Sequence, residues 1–178
     1  MVDKIISYLP PRKSKSSDQG DDGTLRIVDL TCGGGGHSEA ILRHYSDDGA
    51  GFDDGGRGDM GRVVVYGVDQ DEESMMQTGV RLGEWGKVGG RVGVEFKSIY
   101  SNFASLSLED FGDVKVDFVM GDFGVSSHQI DDEGRGFSYS MLEGPLDMRM
   151  DKGGGLTAAD ICNGWEEVRG GGEEGGAE

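Results

Sequence analysis

The sequence is poor in cysteine, proline, basic residues and long apolar runs. Its two cysteines, Cys32 and Cys162, lie far apart with no CxxC spacing. That spacing excludes a disulfide framework and a zinc site of the CxxC type, and a reducing compartment is expected. No run approaches the ~18 apolar residues of a membrane span, so no membrane partner is expected. The opening stretch, Met1–Ser17, carries Lys, Arg and Ser, but Asp3 comes early and no apolar core of signal-peptide type follows. No targeting peptide is read there. The expected location is the cytoplasm or, given the low-complexity insertions, a mitochondrion or plastid. Basic residues are outnumbered, 17 Lys and Arg against 34 Asp and Glu, for a net charge of -17. Free RNA binding is driven by Lys and Arg displacing counterions from phosphate, so this balance taken alone argues against an RNA-binding surface. Much of the acid sits in Asp47–Asp59 and Glu166–Glu178, which read as solvated loop and tail.

What the chain has in excess is glycine, 34 of 178 residues, gathered in tracts that dilute an otherwise ordinary core to 35% hydrophobic residues. The length suits one domain with a sizeable core. Lys4–Leu9 is a short apolar stretch that can end a helix, stopped by Pro10 and Pro11. Lys13–Gly23 reads as a polar loop. Leu25–Thr31, an apolar run bounded by turn residues, reads as a first buried strand. The glycines Gly33–Gly36 follow, then a helix over His37–Tyr45 with Ala40, Ile41, His44 and Tyr45 on one side. Ser46–Gly61 is an Asp/Gly tract that cannot bury enough apolar surface to offset its ordering entropy, so a disordered insertion is expected. Arg62–Asp69 reads as a second strand and Glu72–Leu82 as a helix capped by Asp71. Arg91–Lys97 reads as a third strand and Val114–Asp122 as a fourth. This alternation predicts an α/β fold with an open, mostly parallel sheet. Right-handed crossovers place helices on both faces, and ligands bind at the carboxyl ends of the strands.

The residues with chemical character fall at those ends. In DLTCGGGGHS, Asp29–Ser38, a glycine turn between strand and helix lets the backbone approach a ligand and aims free amides at it. As a dinucleotide fingerprint the run is imperfect, because the third glycine of GxGxxG falls on Ser38. Asp69, ending the second strand in YGVDQD, is the acid placed to accept both ribose hydroxyls of an adenosine. Asp71 is its rival and is read as the helix cap. Phe103, in SNFASL, suits either a cover for adenine or a core position beside Leu106, Leu108 and Phe111. Gly121–Gln129 and Asp131–Met150 form a long irregular segment after the fourth strand, and such segments are usually functional. Asp122 there points into the cleft. Arg135 and Arg149 suit either a pocket or RNA phosphate on one reading, or internal salt bridges with Asp131, Asp147 or Asp151 on the other.

In order along the chain, DLTCGGGGHSEAIL, YGVDQD, SNFASL, DFGVSSHQIDDEGRGFSYSMLEGPLDMRMD and LTAADICN resemble the motifs of the RsmH/MraW-type methyltransferases. The resemblance runs from about Leu25 to Asn163, and the GVSS…RGFS…GPLDMRM block is its most specific part. It implies a Rossmann-like class I methyltransferase fold using S-adenosylmethionine to methylate N4 of a cytidine in small-subunit ribosomal RNA. The implied partner is that RNA or the assembled small subunit. The implied cofactor contacts are Gly35, Gly36, His37, Asp69, Phe103, Asp122 and Gln129. By its position Asp122 is also the candidate catalytic residue, accepting a hydrogen bond from the target amine, the alternative being that it only orients the cofactor. The expected organisation is an N-terminal segment over 1–24 and a cofactor-binding domain over 25–150. Residues 151–178 form the start of an inserted helical domain and a low-complexity tail. Family members usually carry Leu where Phe123 stands and Pro where His128 stands. The later strands and a basic C-terminal segment are missing from the resemblance, so a truncated chain is expected. Two alternatives remain at this point: a catalytically incomplete fragment that only binds cofactor or a partner, and a nicotinamide-dependent oxidoreductase sharing the strand–glycine turn–helix start.

Overall fold

A computed structural model describes residues 2–13, 22–46, 61–85, 93–140 and 143–164. The chain divides into two compact units, Met1–His128 and Gln129–Glu178. Most of the expected Asp/Gly insertion, the core of the polar loop before Gly23 and the Gly/Glu tail lie outside the described residues.

In the first unit, apolar runs become four parallel strands, the central two of which are buried on both faces. The strands are β1 (Leu25–Asp29), β2 (Val63–Asp69), β3 (Val94–Tyr100) and β4 (Phe118–Met120). They form one sheet in the order β3-β2-β1-β4, and every pairing is parallel. Such near-continuous apolar strands belong in a parallel sheet with both faces covered. β2 is buried over six of its seven residues, from Val63 to Val68. One face packs Ile27, Val63, Val65 and Phe96 against Ile41, Leu42 and Tyr45 of α2 (Gly36–Ser46) and Met75 and Leu82 of α3 (Glu72–Gly83). On the other face Val28, Val64, Tyr66 and Val68 meet Leu106, Phe111 and Val116 from the connection after β3. Burying each such side chain contributes about 1.5–3 kcal/mol. The α/β expectation holds, with the order of a Rossmann-like sheet.

Several boundaries differ from the sequence reading. The buried side of α2 is Ser38, Ile41, Leu42 and Tyr45, whereas Ala40 and His44 are only half-buried. β3 runs on through Ser98, Ile99 and Tyr100, because its register with β2 continues to the pair Asp69 and Tyr100. Its later residues are exposed or half-buried, so apolar character ended before the strand did. β4 is shorter than Val114–Asp122. It pairs β1 only from Ile27 to Asp29, and just before it the Asp117 carboxylate accepts the Arg26 backbone N–H at 2.8 Å.

The N-terminal segment is tied to the amino ends of the strands. After α1 (Val2–Ile6), Ile6 and Leu9 pack on the core, and the Tyr45 hydroxyl donates to the Pro10 carbonyl at 2.5 Å. Arg12 donates to the carbonyls of Gly61, Tyr45 and Gly93. This end of the sheet is closed by backbone contacts, and the opposite end carries the loops of interest.

In the second unit, Arg135 is buried and its Nη2 donates to the carbonyls of Arg149 and Met150. Gly136 has φ +74, and a Cβ there would lie 2.3 Å from the Pro145 carbonyl oxygen. The Asp147 and Leu146 carbonyls accept the N–H groups of Ala158 and Ala159, which open α5 (Ala158–Gly164). These bonds tie residues 135–164 together, so the division at Gln129 does not coincide with the boundary expected at 150. Arg149 makes a two-point salt bridge to Asp147, at 2.9 and 2.7 Å, which is the internal pairing of the two readings. Arg149 holds the Asp147 carboxyl down at about 2. Among the described residues no helix is long and apolar enough to cross a membrane.

Candidate functional site

With the order β3-β2-β1-β4, the chain goes from β1 outward to β3 and then returns to the other side of β1. The strand order reverses between β1 and β4, and the crevice outside the carboxyl ends at such a point is where open α/β sheets take ligands. The loops there are joined directly. The Leu30 N–H donates to the Met120 carbonyl at 2.9 Å, and the Asp122 N–H donates to the Thr31 hydroxyl at 2.7 Å.

The glycine turn leaving β1 is built on a buried acid. Asp29 is fully buried, and its carboxylate accepts the Ser38 hydroxyl at 2.8 Å and the Thr31 N–H at 3.2 Å. The Ser38 hydroxyl also lies 3.6 Å from the Cys32 sulfur. Ser38, the residue that spoils the dinucleotide fingerprint, is therefore the pin that closes the turn onto its own strand. Burial pushes the Cys32 thiol up to about 12 and raises the Asp29 carboxyl above its ordinary value. Ionising Asp29 thus opposes folding. Its contribution to stability is fully present below the unfolded carboxylate value of about 3.9 and is lost as pH rises through the higher folded value. Asp29→Asn is expected to flatten that slope, read as the urea midpoint measured from about pH 4 to about pH 7. A slope identical to that of the unmodified chain would show that the Asp29 carboxyl titrates in the fold where it does in the unfolded chain.

Gly35 has φ +74, and a Cβ there would lie 2.6 Å from Thr78 Cγ2 and 2.9 Å from Leu82 Cδ1. Its N–H is used within the turn, donating to the Cys32 carbonyl at 2.7 Å. Gly35 thus serves the close packing of the turn on α3. Gly34 and Gly36 are the exposed members of the run, and His37, the second residue of α2, is half-buried. In the first turn of α2 the amides of Gly36 and His37 have no intrahelical acceptor.

Asp69 ends β2 beside this turn. One carboxylate oxygen accepts the Gly33 N–H at 2.8 Å and the other the Asp71 N–H at 3.0 Å. A carboxylate has about four acceptor directions, so each oxygen keeps one for a further donor. Asp71 is buried and caps α3 by accepting the Ser74 N–H at 3.1 Å. Asp71 caps the helix, as the sequence predicts, and Asp69 faces the glycine turn. Phe103 does not occupy the core position open to it. Leu106 and Phe111 pack on the sheet, while Phe103 is 44% exposed and meets Phe123 edge to face at 5.5 Å. Phe123 is itself exposed, and its ring lies over Gly121. The exposed Asp122 carboxylate has no hydrogen bond or ion pair among the described residues. Gly35, Gly36, His37, Asp69, Phe103 and Asp122 therefore all lie at or after the carboxyl ends of the strands. Gln129 lies on α4 (Ser127–Asp131), belongs to the second unit and is buried.

Sequence reasoning gave no role to Gly67, Thr78 or Arg81. Gly67, inside β2, passes under Cys32 and Phe96, and a glycine in an apolar strand was the available signal. Thr78 and Arg81 bond to the glycine turn across 45 and 47 residues of sequence, which no local pattern reveals.

The MraW methylase family model matches residues 1–169. A protein named ribosomal RNA small subunit methyltransferase H from Pelodictyon phaeoclathratiforme is 42% identical over 140 residues, covering 79% of this chain and 39% of that protein. The protein of that name from Nostoc punctiforme is 38% identical, covering 79% and 39%. The one from Pseudarthrobacter chlorophenolicus is 34% identical over 165 residues, covering 93% and 43%. The chain spans about two fifths of the length of these relatives. The nicotinamide-dependent alternative loses its basis, since the match takes in the glycine turn, the acid after β2 and the block after β4 together. The chain belongs to the MraW methylase family.

Proposed function

We propose that this chain carries the S-adenosylmethionine site of a methyltransferase acting on N4 of a cytidine in small-subunit ribosomal RNA, free or in the assembled subunit. The observation that carries the reading is the gathering of a glycine turn, Asp69, Phe103 and Asp122, whose carboxylate has no partner among the described residues, at the strand ends around the β1/β4 reversal. The residues fit the cofactor. Asp69 keeps acceptor capacity for two ribose hydroxyls, the exposed Phe103 offers an aromatic surface for adenine, and the amides opening α2 suit a carboxylate. When bound, the cofactor supplies a methyl group on a positively charged sulfur with a neutral leaving group.

The protein's own contribution is chiefly positioning, which accounts for a large share of the barrier in such displacements. The cytosine N4 lone pair is delocalised into the ring, so the amine is a poor nucleophile. Asp122 accepts a hydrogen bond from the N4 amine and so raises the charge on nitrogen. The Thr31 hydroxyl accepts the Asp122 backbone N–H and so fixes the stretch of backbone from which that carboxylate projects.

Two measurements test the reading. Calorimetric titration of the chain with S-adenosylmethionine is expected to give one site. A folded chain that evolves no binding heat sinks the cofactor assignment. In the protein at the length of its relatives, Asp122→Asn is expected to lower kcat about thirtyfold, the worth of one hydrogen bond to a charged acceptor, with cofactor affinity little changed. Transfer to ribosomal RNA is read by nucleoside mass spectrometry, and near-normal turnover by Asp122→Asn removes the acceptor role.

A further inference from the structure

Residues 78, 81 and 82 of α3 form one helix face, and that face holds the glycine turn by its carbonyls. The buried Thr78 hydroxyl donates to the Gly33 carbonyl at 2.8 Å. Arg81 Nη2 donates to the Gly34 carbonyl at 2.5 Å. The other Arg81 nitrogen pairs with Glu39 in the first turn of α2, and Glu39 also holds Arg43 at 2.6 Å. Thr78 Cγ2 and Leu82 Cδ1 fill the space beneath Gly35.

These bonds have a directional consequence. Across a trans peptide the C=O of one residue and the N–H of the next point in opposite directions. Drawing the Gly33 carbonyl onto Thr78 turns the Gly34 N–H away from α3. Gly34 is an exposed residue of the turn, and on its other flank the Asp69 carboxylate holds the Gly33 N–H. The turn is thus gripped on its carbonyl side by α3 and on one amide by Asp69. A free glycine run has a wide choice of backbone angles, which would have to be surrendered on binding.

We infer that Thr78 and Arg81 are positioning residues for the cofactor: they fix the glycine turn in its ligand-ready shape before binding. The inference rests on the S-adenosylmethionine reading above. Neither side chain needs to touch the ligand. Thr78 supplies the central bond because it is buried, and Arg81 joins the turn to the first turn of α2 through Glu39.

Calorimetric titration of the chain and three variants with S-adenosylmethionine tests this. Thr78→Val keeps the shape and loses the hydroxyl, and its Kd is expected to rise about tenfold, the effect of one lost buried hydrogen bond on a turn that must then order on binding. Thr78→Ser restores the hydroxyl without the methyl group and is expected to bind within about threefold of the unmodified chain, although its melting temperature falls through the lost packing. Arg81→Met, at an exposed side chain whose loss the fold tolerates, is expected to raise Kd about threefold. A folded Thr78→Val that binds as tightly as the unmodified chain overturns the inference and leaves the cofactor reading intact. If Thr78→Val does not fold, unchanged affinity in Arg81→Met overturns it. An unmodified chain that folds and does not bind overturns both.

Discussion

Asp69→Ala is expected to weaken S-adenosylmethionine binding by at least a hundredfold. A hydrogen bond to a charged acceptor contributes about 1.5–3 kcal/mol, and on the proposed reading the alanine loses two of them to the ribose, a direct loss of about 3–6 kcal/mol. A second effect adds to it. The carboxylate also holds the Gly33 N–H at 2.8 Å, so its removal releases the amide side of the glycine turn. Asp71 provides the matched control. It is two residues away and carries the same charge, but its carboxylate is spent on the Ser74 N–H at the start of α3. Asp71→Ala is expected to lower stability by about 1 kcal/mol, the usual worth of a helix cap, with little change in Kd. Calorimetry for affinity and urea unfolding for stability separate the two. If Asp71→Ala loses more affinity than Asp69→Ala, the assignment of ligand acid and cap acid is reversed.

The cap acid and the strand-end acid are distinguished in the sequence by their local setting. Asp71 stands directly before an amphipathic helical run with Glu72 and Glu73 in its first turn, and capping is decided within one turn of chain. Asp69 ends an apolar strand after a glycine turn and strand–helix unit, a pattern with a fixed spatial outcome once the crossover is right-handed. The parallel sheet was legible for the same reason, because β-branched runs and intervening helices have distinct periods. Strand ends were less legible. β3 continues through Lys97, Ser98 and Tyr100 since pairing with β2, rather than burial, holds it there.

Phe103 marks where local reading stops. Its neighbours Leu106 and Phe111 have the same hydrophobicity, and only the packing of the connection on Val64 and Tyr66 decides which of them is covered. That Phe103 remains exposed beside Phe123 is a property of the assembled sheet. The Thr78 and Arg81 contacts are of this kind as well. Each joins segments that are adjacent only after β1 and β2 pair, so a hydroxyl and a guanidinium on α3 carry no signal of their purpose in the sequence. The GPLDMRM block is a mixed case. Its density of Gly, Pro and charge announces an irregular segment, but the pairing of Arg149 with Asp147 emerges from the folded loop.

Gly67→Val is expected to lower stability by about 3 kcal/mol or more and the melting temperature by roughly 10 °C, because it overpacks a core with no space to spare. The residue lies within β2, paired with Asp29 on one side and Ser98 on the other. A Cβ there would lie 2.6 Å from the Cys32 sulfur and 2.7 Å from Phe96 Cζ. Neither neighbour is a flexible end in open solvent. Cys32 is buried and its N–H donates to the Val68 carbonyl at 2.9 Å, while Phe96 is buried in the main core. Relief at Cys32 means moving the segment that follows β1, and that segment is the glycine turn. The same substitution should accordingly cost affinity for S-adenosylmethionine even in the fraction that remains folded. Combining Gly67→Ala with Cys32→Ala tests this route, since it removes the sulfur against which the new methyl group presses. Residues in direct contact couple by about 0.5–3 kcal/mol, so the double variant is expected to be more stable than the sum of the two single losses. Strict additivity in urea unfolding would mean that the strain is taken up at Phe96 instead, and the cofactor affinity of Gly67→Ala would then stay near that of the unmodified chain.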